Sequence, residues 1–79
     1  MKVYIKIHRR NENETVACCD EKLLNKVFKD GCLEIEISDR FYGGQLMQLE
    51  EAIDILKEAS NFNIVGEHII KKAIDCCIE

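Results

Sequence analysis

Residues 1 to 8, MKVYIKIH, alternate between apolar and polar side chains. Val3, Ile5 and Ile7 fall on one side of an extended chain, which is the pattern of a strand with one buried face. The next six residues, RRNENE, are polar and rich in turn formers, and TVACC follows them. This stretch therefore predicts a β-hairpin whose second strand lies around TVACC.

The segment after the hairpin predicts a short helix. Residues 21–30, EKLLNKVFKD, follow Asp20, a good helix cap, and precede Gly31, a common helix end. Their apolar residues fall on one helical face, namely Leu23, Leu24, Val27 and Phe28.

A third strand is predicted at CLEIEIS, residues 32–38, because Leu33, Ile35 and Ile37 alternate with glutamates. The polar face of this strand is acidic, at Glu34 and Glu36, whereas that of the first strand is basic. Opposite charges stabilise neighbouring strands, so we expect the first and third strands to be adjacent.

The second half of the chain predicts two helices. LEEAIDILKEAS, residues 49–60, carries an apolar stripe at Ala52, Ile53, Leu56 and Ala59. After a break at NFN, where Asn61 or Asn63 can act as a cap, IVGEHIIKKAIDCC predicts a helix with apolar residues at Ile70, Ala73, Ile74, Cys77 and Ile78. Gly66 indicates either the close approach of another element or a frayed first turn.

These elements predict one α+β domain over residues 1–79. We expect a small, largely antiparallel three-stranded sheet packed against three helices in the order β-β-α-β-α-α. The expected core comprises Val3, Ile5, Ile7, Leu33, Ile35, Ile37, Ile53, Leu56, Ile70 and Ile74.

The composition is that of a soluble globular domain, because 47% of the 79 residues are hydrophobic and 33% are charged. No stretch approaches the roughly 18 apolar residues of a membrane span, and the N-terminus lacks the order of a signal peptide, so we expect a cytoplasmic protein with no membrane partner. The net charge of −4 disfavours non-specific nucleic-acid binding. The first ten residues, however, are basic, with Lys2, Lys6, Arg9 and Arg10.

The five cysteines occur as two adjacent pairs, Cys18-Cys19 and Cys76-Cys77, and a single Cys32. Structural zinc sites usually space two ligands two to four residues apart, and no such pair exists here. We therefore expect reduced cysteines that act as small apolar residues, with no metal and no cofactor. Metal binding, and a redox or disulfide role, remain the alternatives.

FYGG, residues 41–44, is the candidate functional motif, because two aromatic residues precede two glycines in a turn. One interpretation is structural: geometry requires the turn and its rings pack on the sheet and a helix. The other is a shallow binding surface in which bare glycine backbone lies beside basic and aromatic side chains. Phe41 is the expected anchor of the loop, and the candidate surface comprises Arg9, Arg10, Arg40, Tyr42, Gly43 and Gly44.

Four stretches together, KVYIKIHRR, CDEKLL, ISDRFYGG and NIVGE, resemble a small archaeal protein family catalogued as domain of unknown function 424. The resemblance implies a compact cytosolic α+β domain of unassigned activity, in a family sometimes linked to translation or the ribosome. It carries no catalytic residues over. Many members continue past the last helix with a short segment containing a Pro-His pair. This chain has no proline and ends at Glu79, so the resemblance does not carry a terminal strand, or a site that uses it, over to these residues.

The residues favour binding over catalysis. Neither His8 nor His68 has a cysteine or aspartate at a spacing that would indicate a nucleophile and base, so we expect no enzyme activity. The first function class is an RNA- or ribosome-associated accessory factor in translation, which would use the arginines and Tyr42. The second is a protein-interaction or homo-oligomerisation module without nucleic acid, which would use a sheet edge or an apolar helix face.

Overall fold

The computed structural model describes residues 1–76. Its helices and strands follow one another along the chain as β1 Lys2–Arg10, β2 Asn13–Asp20, a single 3-10 turn Glu21–Leu23, β3 Val27–Asp30, β4 Leu33–Glu36, α1 Asp39–Tyr42, β5 Gln45–Gln48, α2 Leu49–Glu58, β6 Phe62–Val65 and α3 Glu67–Asp75. The α+β class is confirmed.

The main sheet has four strands in the order β5-β1-β2-β6. β1 pairs antiparallel with both β2 and β5, whereas β6 pairs parallel with β2. The predicted hairpin of the first two strands is confirmed, with Arg10 opposite Asn13 at its tip. The sheet is therefore mixed, and not the three-stranded sheet expected from the sequence.

The two faces of this sheet are covered differently. Val3 and Ile5 of β1 and Val16 and Cys18 of β2 point to the face that packs against α2 and α3, which contribute Ala52, Ile53, Leu56, Ile69 and Ala73 to the same core. The residues that alternate with these along the strands, such as Lys6 and His8, point to the other face, on which α1 lies. This second face carries the candidate site.

The predicted helix at residues 21–30 is wrong. Only a 3-10 turn forms at Glu21–Leu23, and the chain then turns at Asn25, whose φ is 68°. The amide of Asn25 donates to the carbonyl of Ile37, and the amide of Ile37 donates to the carbonyl of Lys26. These bonds bring the two ends of the segment together, so that β3 and β4 form a hairpin with Gly31 in its turn. The β-branched and aromatic side chains of Val27 and Phe28 are compatible with this extended structure.

The third predicted strand forms but lies in a separate two-stranded sheet with β3. The expected pairing of Lys2 and Lys6 with Glu34 and Glu36 is therefore wrong. Of the expected core residues, Val3, Ile5, Ile37, Ile53 and Leu56 are buried, whereas Ile7, Leu33, Ile35, Ile70 and Ile74 are exposed.

The exposure of these five expected core residues has geometric causes. Leu33 and Ile35 lie on the separate hairpin, and burial along β1 ends at Ile5. In α3 the buried positions are Ile69 and Ala73. Ile70 and Ile74 are one residue further along, about 100° around the helix, and face solvent.

The start of the last predicted helix is instead strand β6. Phe62 and Ile64 pack against the core, and Gly66 then begins α3 with φ 120°. A Cβ at Gly66 would collide with the carboxylate of Asp20, so the predicted close approach is confirmed. The predicted apolar positions Cys77 and Ile78 lie outside the described residues.

None of the helices in residues 1–76 combines the length and apolar character needed to cross a membrane.

Candidate nucleic-acid interface

The short helix α1 is fixed to the sheet through main-chain carbonyls. Ser38 caps it, because the side-chain hydroxyl accepts a hydrogen bond from the amide of Phe41 at 3.2 Å. The Nζ of Lys6 donates to the carbonyl of Arg40 at 2.6 Å, and the ring of His8 bonds the carbonyl of Phe41 through Nε2 at 2.7 Å. Two polar residues of β1 therefore hold the FYGG motif against the sheet.

The rings of His8 and Phe41 form a stacked pair. Their centroids are 4.6 Å apart and their planes differ by 17°. A carbonyl oxygen only accepts, so Nε2 of His8 carries the hydrogen in the bond to Phe41. In the neutral ring Nδ1 is then an acceptor. The pair thus consists of two half-buried rings that line the groove, one of which carries a polar ring atom.

A groove of about 480 Å³ lies next to this stacked pair, between α1 and the tip of the β1–β2 hairpin. It is lined by His8, Arg10, Asn11, Asn13, Thr15 and Phe41. The side chains supply one cation, two amides, one hydroxyl and two rings. This combination of groups can contact a phosphate, a planar base and the polar edge of that base.

The structure separates the two arginines of the hairpin. Successive residues on a strand point to opposite faces, so Arg10 lies with Lys6 and His8 whereas Arg9 points the other way. Arg9 instead pairs with Glu14 through Nε at 2.8 Å, in a bridge whose side chains are largely exposed. The expectation that both arginines lie on one side is wrong. Arg10 lines the groove, and Arg40 is exposed on α1.

Tyr42 is an anchor of the loop. Its hydroxyl donates to Oδ1 of Asn63 on β6 at 2.9 Å, and its ring meets Phe41 edge to face with centroids 4.9 Å apart. Desolvation by burial, together with the neighbouring Cys19, raises the pKa of the Tyr42 hydroxyl. Phe41 and Tyr42 are both half-buried. Phe41 stacks on His8 and lines the groove, and Tyr42 bonds Asn63, so both side chains help to hold the loop.

The two glycines let α1 return to the sheet. A Cβ at Gly44 would collide with the carbonyl of Ile5 on β1, so this position requires close backbone approach. Gly43 has φ −80°, and Gly44 is not among the glycines with positive φ, which in residues 1–76 are Gly31 and Gly66. Close backbone approach, and not a positive φ, is therefore what requires glycine at position 44.

The acidic residues of α2 lie on the far side of the sheet from the groove. This helix packs its apolar stripe on the core face, and its exposed residues include Glu50, Glu51, Asp54 and Glu58. The net charge of −4 therefore includes a group of carboxylates separated from Arg10 by the sheet and α2. Among the residues that line the groove, Arg10 is the only lysine, arginine, aspartate or glutamate.

A second polar cluster joins the end of β2 to the start of α3. The buried carboxylate of Asp20 accepts hydrogen bonds from the amides of His68 and Ile69 at 2.9 and 3.0 Å, and from Nδ1 of His68 at 3.1 Å. The partners are 48 and 49 positions apart, so no local pattern predicts the contact, although Gly66 indicated the close approach of another element.

A cavity of about 240 Å³ adjoins this cluster, lined by Met1, Lys2, Asp20, Glu21, Lys22, Leu23, Glu67 and His68. None of these residues is a serine, threonine or cysteine. The carboxylate and imidazole thus have the arrangement of a base and its orienting group, but the residues lining the cavity supply no hydroxyl or thiol nucleophile.

The two cysteines of β2 are buried. Cys18 and Cys19 are free and fully buried, on opposite faces of the strand. Desolvation, with the charge of the neighbouring groups, raises the pKa of Cys18 to about 12 and that of Cys19 to about 11. Cys32 is exposed and Cys76 half-buried. Within residues 1–76 no group of three or more histidine, cysteine or acidic side chains is placed to hold a metal.

Residues 7–79 match the sequence family described as Protein of unknown function (DUF424). The chain belongs to this family. It is also similar to the crystal structure of an uncharacterized conserved protein from Methanopyrus kandleri, with 26% identity and a TM-score of 0.83 over the whole of this chain and 76% of that one. No curated protein gives a significant match. The family resemblance seen in the four sequence stretches is thus confirmed, and with it an archaeal relative.

Proposed function

We propose that this protein is an RNA-associated accessory factor in translation that binds a single-stranded RNA segment in the groove between α1 and the β1–β2 hairpin. The observation that carries the proposal is that Arg10, His8 and Phe41 line one groove. Basic and aromatic groups on a polar surface are the groups that proteins use on unpaired RNA.

The groove offers a separate contact for each part of a nucleotide. Arg10 can bond a phosphate, because its guanidinium forms no ion pair with another residue in the described part of the chain. The ring pair of His8 and Phe41 offers a stacking surface for a base. Asn11, Asn13 and Thr15 offer donors and acceptors for base edges and for the 2′-hydroxyl.

Arg10 can attract a phosphate although the net charge of the protein is negative. Exposed charges are screened beyond a Debye length of about 8 Å at physiological ionic strength, so distant carboxylates contribute little at the groove. One phosphate contact on a single strand gives a slope of about −0.7 in the logarithm of affinity against the logarithm of salt concentration. We therefore expect weak binding with a shallow dependence on salt.

Two adjacent arginines provide the test. Arg9→Ala and Arg10→Ala change the net charge equally, but only Arg10 lines the groove. With a labelled short single-stranded RNA, anisotropy should show that Arg10→Ala weakens binding and reduces the salt slope by about 0.7, whereas Arg9→Ala leaves both near the parent values. Equal losses of affinity in the two variants would show that binding depends on net charge alone, and would refute the groove as the binding site.

The stacking surface has its own variant. Phe41→Leu keeps an apolar side chain at this position of α1 and removes the ring. Loss of one stacked base costs about 1 to 3 kcal/mol, so this variant should weaken RNA binding at least severalfold. Its melting temperature, compared with that of the parent, shows how far loss of the ring contacts with His8 and Tyr42 also affects the fold. Unchanged affinity would exclude stacking on the ring pair.

The link to translation rests on the family resemblance and belongs to the proposal, as does the cytoplasmic location. Co-sedimentation of the tagged protein with ribosomal particles, in RNase-treated and untreated extracts, tests it directly. Arg10→Ala should release the protein from the particles, whereas Arg9→Ala should remain bound. If neither the parent protein nor the variants sediment with the particles, the link to the ribosome is refuted. RNA binding is then decided by the anisotropy experiment alone.

The alternative, a protein-interaction or homo-oligomerisation module, is favoured by a different surface. The β3–β4 hairpin exposes the apolar side chains of Val27, Phe28, Leu33 and Ile35.

A further inference from the structure

The β3–β4 hairpin is an incomplete sheet. All eight of its strand residues are exposed. Within residues 1–76 neither strand pairs with a third one. An isolated two-stranded hairpin is marginally stable in water, and a third strand or a packed layer is what normally stabilises it.

The hairpin has one apolar and one charged face. Directly paired residues share a face, and Phe28 is opposite Ile35 while Asp30 is opposite Leu33. This face therefore presents Phe28, Leu33 and Ile35, which are 49%, 60% and 51% exposed. The other face carries Lys29 opposite Glu34, and Val27 opposite Glu36.

The outer edge of β4 is the better of the two edges for another strand. Its residues alternate strictly, with Leu33 and Ile35 on the apolar face and Glu34 and Glu36 on the other. Neither glutamate forms an ion pair within the described residues. On β3, in contrast, Asp30 interrupts the apolar face. An unpaired edge also offers its amide and carbonyl groups to an added strand.

We propose that the outer edge of β4 binds an extended segment of a partner protein in which Lys or Arg alternates with apolar residues. Strand addition uses main-chain hydrogen bonds for affinity and alternate side chains for specificity. The basic side chains of the partner lie opposite Glu34 and Glu36, and its apolar side chains extend the surface of Leu33 and Ile35. The site is separate from the groove at Arg10 and does not depend on RNA binding.

A second copy of this chain fits the same edge poorly. In an antiparallel pair of β4 strands related by two-fold symmetry, one set of registers places glutamates opposite glutamates. The other set places Glu34 opposite an apolar residue such as Ile35. Like charges across strands are destabilising, and a shift by one residue exchanges the polar and apolar faces. The acidic edge therefore selects a basic partner strand.

Two synthetic peptides test the proposal, one alternating lysine with valine and one alternating glutamate with valine. Titrated into the ¹⁵N-labelled protein, the lysine peptide should shift the amide signals of residues 33–36 and slow their hydrogen exchange. Two cross-strand charge pairs should favour it over the glutamate peptide by about fivefold or more.

Charge reversal provides the control. Glu34→Lys/Glu36→Lys should reverse the preference, so that the glutamate peptide binds more tightly. Glu50→Lys/Glu51→Lys on α2 makes the same change in net charge and should leave the preference for the lysine peptide. All four positions are exposed, so the variants should fold, which circular dichroism verifies. Equal effects of the two double variants, or lysine-peptide shifts located away from residues 33–36, would overturn the proposal.

Discussion

At the scale of single residues, the carboxylate of Asp20 joins β2 to α3 by hydrogen bonds that span 48 and 49 positions. Asp20 was expected to cap a helix directly after it. Its carboxylate instead accepts hydrogen bonds from the amides of His68 and Ile69 in the first turn of α3. Cap residues can be predicted from sequence when they precede their helix, because the pattern is local. A cap that reaches across 48 positions leaves no local pattern, although Gly66 did indicate that another element approaches closely.

Replacing Asp20 should therefore be costly. Hydrogen bonds to charged groups contribute about 1.5 to 3 kcal/mol, so we expect Asp20→Ala to lower the free energy of unfolding by about that amount in urea titrations. Glu21→Ala, at the exposed neighbouring position, should remain within about 0.5 kcal/mol of the parent. Similar values for both variants would show that the carboxylate of Asp20 contributes little to joining β2 and α3.

The cysteines should differ in how fast they are alkylated. Only thiolates react, and the pKa of Cys18 is raised by burial from the ordinary 9.0 to about 12. At pH 9 the native protein should react with iodoacetamide at the exposed Cys32 while Cys18 and Cys19 stay unmodified, as mass mapping of the peptides will report. Comparable rates at Cys18 and Cys32 would contradict burial of the β2 thiols.

The same shift sets the sign of an effect on stability. The folded protein holds the Cys18 proton more tightly than the unfolded chain does. The resulting stabilisation is complete below the ordinary pKa of 9.0 and is lost as pH rises through about 12.

At the scale of elements, the sequence predicted the β1–β2 hairpin and α2 because each has several residues with one clear period. The same method failed at residues 21–30, where four apolar residues fit a helical face but Asn25 turns the chain. It also missed β5 and β6, which are four residues long each. Strands this short contain only two residues per face, and their pairing with β1 and β2 depends on contacts distant in sequence.

The candidate site was predicted in part. Phe41 and Arg10 do line one groove near the hairpin tip, whereas Tyr42 bonds Asn63 on β6 and Gly44 lies against Ile5. These contacts join residues distant in sequence and could not be predicted from the motif. The separation of Arg9 from Arg10 follows from strand alternation alone and could have been derived from the predicted hairpin.

The two sheets should differ strongly in local stability. Amides of β1 and β2 lie in the centre of the main sheet over a buried core, whereas β3 and β4 are exposed on all eight residues. In native-state hydrogen exchange we expect residues such as Ile5 and Cys18 to exchange only by global unfolding, and Phe28 and Ile35 to exchange by local opening. Equal protection in the two sheets would show that the hairpin is not an independent, marginal unit.

At the scale of the whole molecule, the sheet separates two surfaces of different charge. The acidic face of α2 lies over the apolar core, while Lys6, Arg10 and Arg40 belong to the opposite side with α1. Composition reports only the average of the two, which is why the charge of −4 argued against RNA although one face has the groups to bind it. A surface of limited area fits a short unpaired segment better than a duplex.

The most direct measurement is an NMR titration of the ¹⁵N-labelled protein with a short single-stranded RNA. We expect the largest amide shifts at the groove, in residues 8–15 and at Phe41, with little change in α2 and none in residues 33–36. Titration of the matching duplex should produce smaller shifts. Shifts of similar size at basic residues throughout the chain, or no shifts at the groove, would contradict RNA binding at this site.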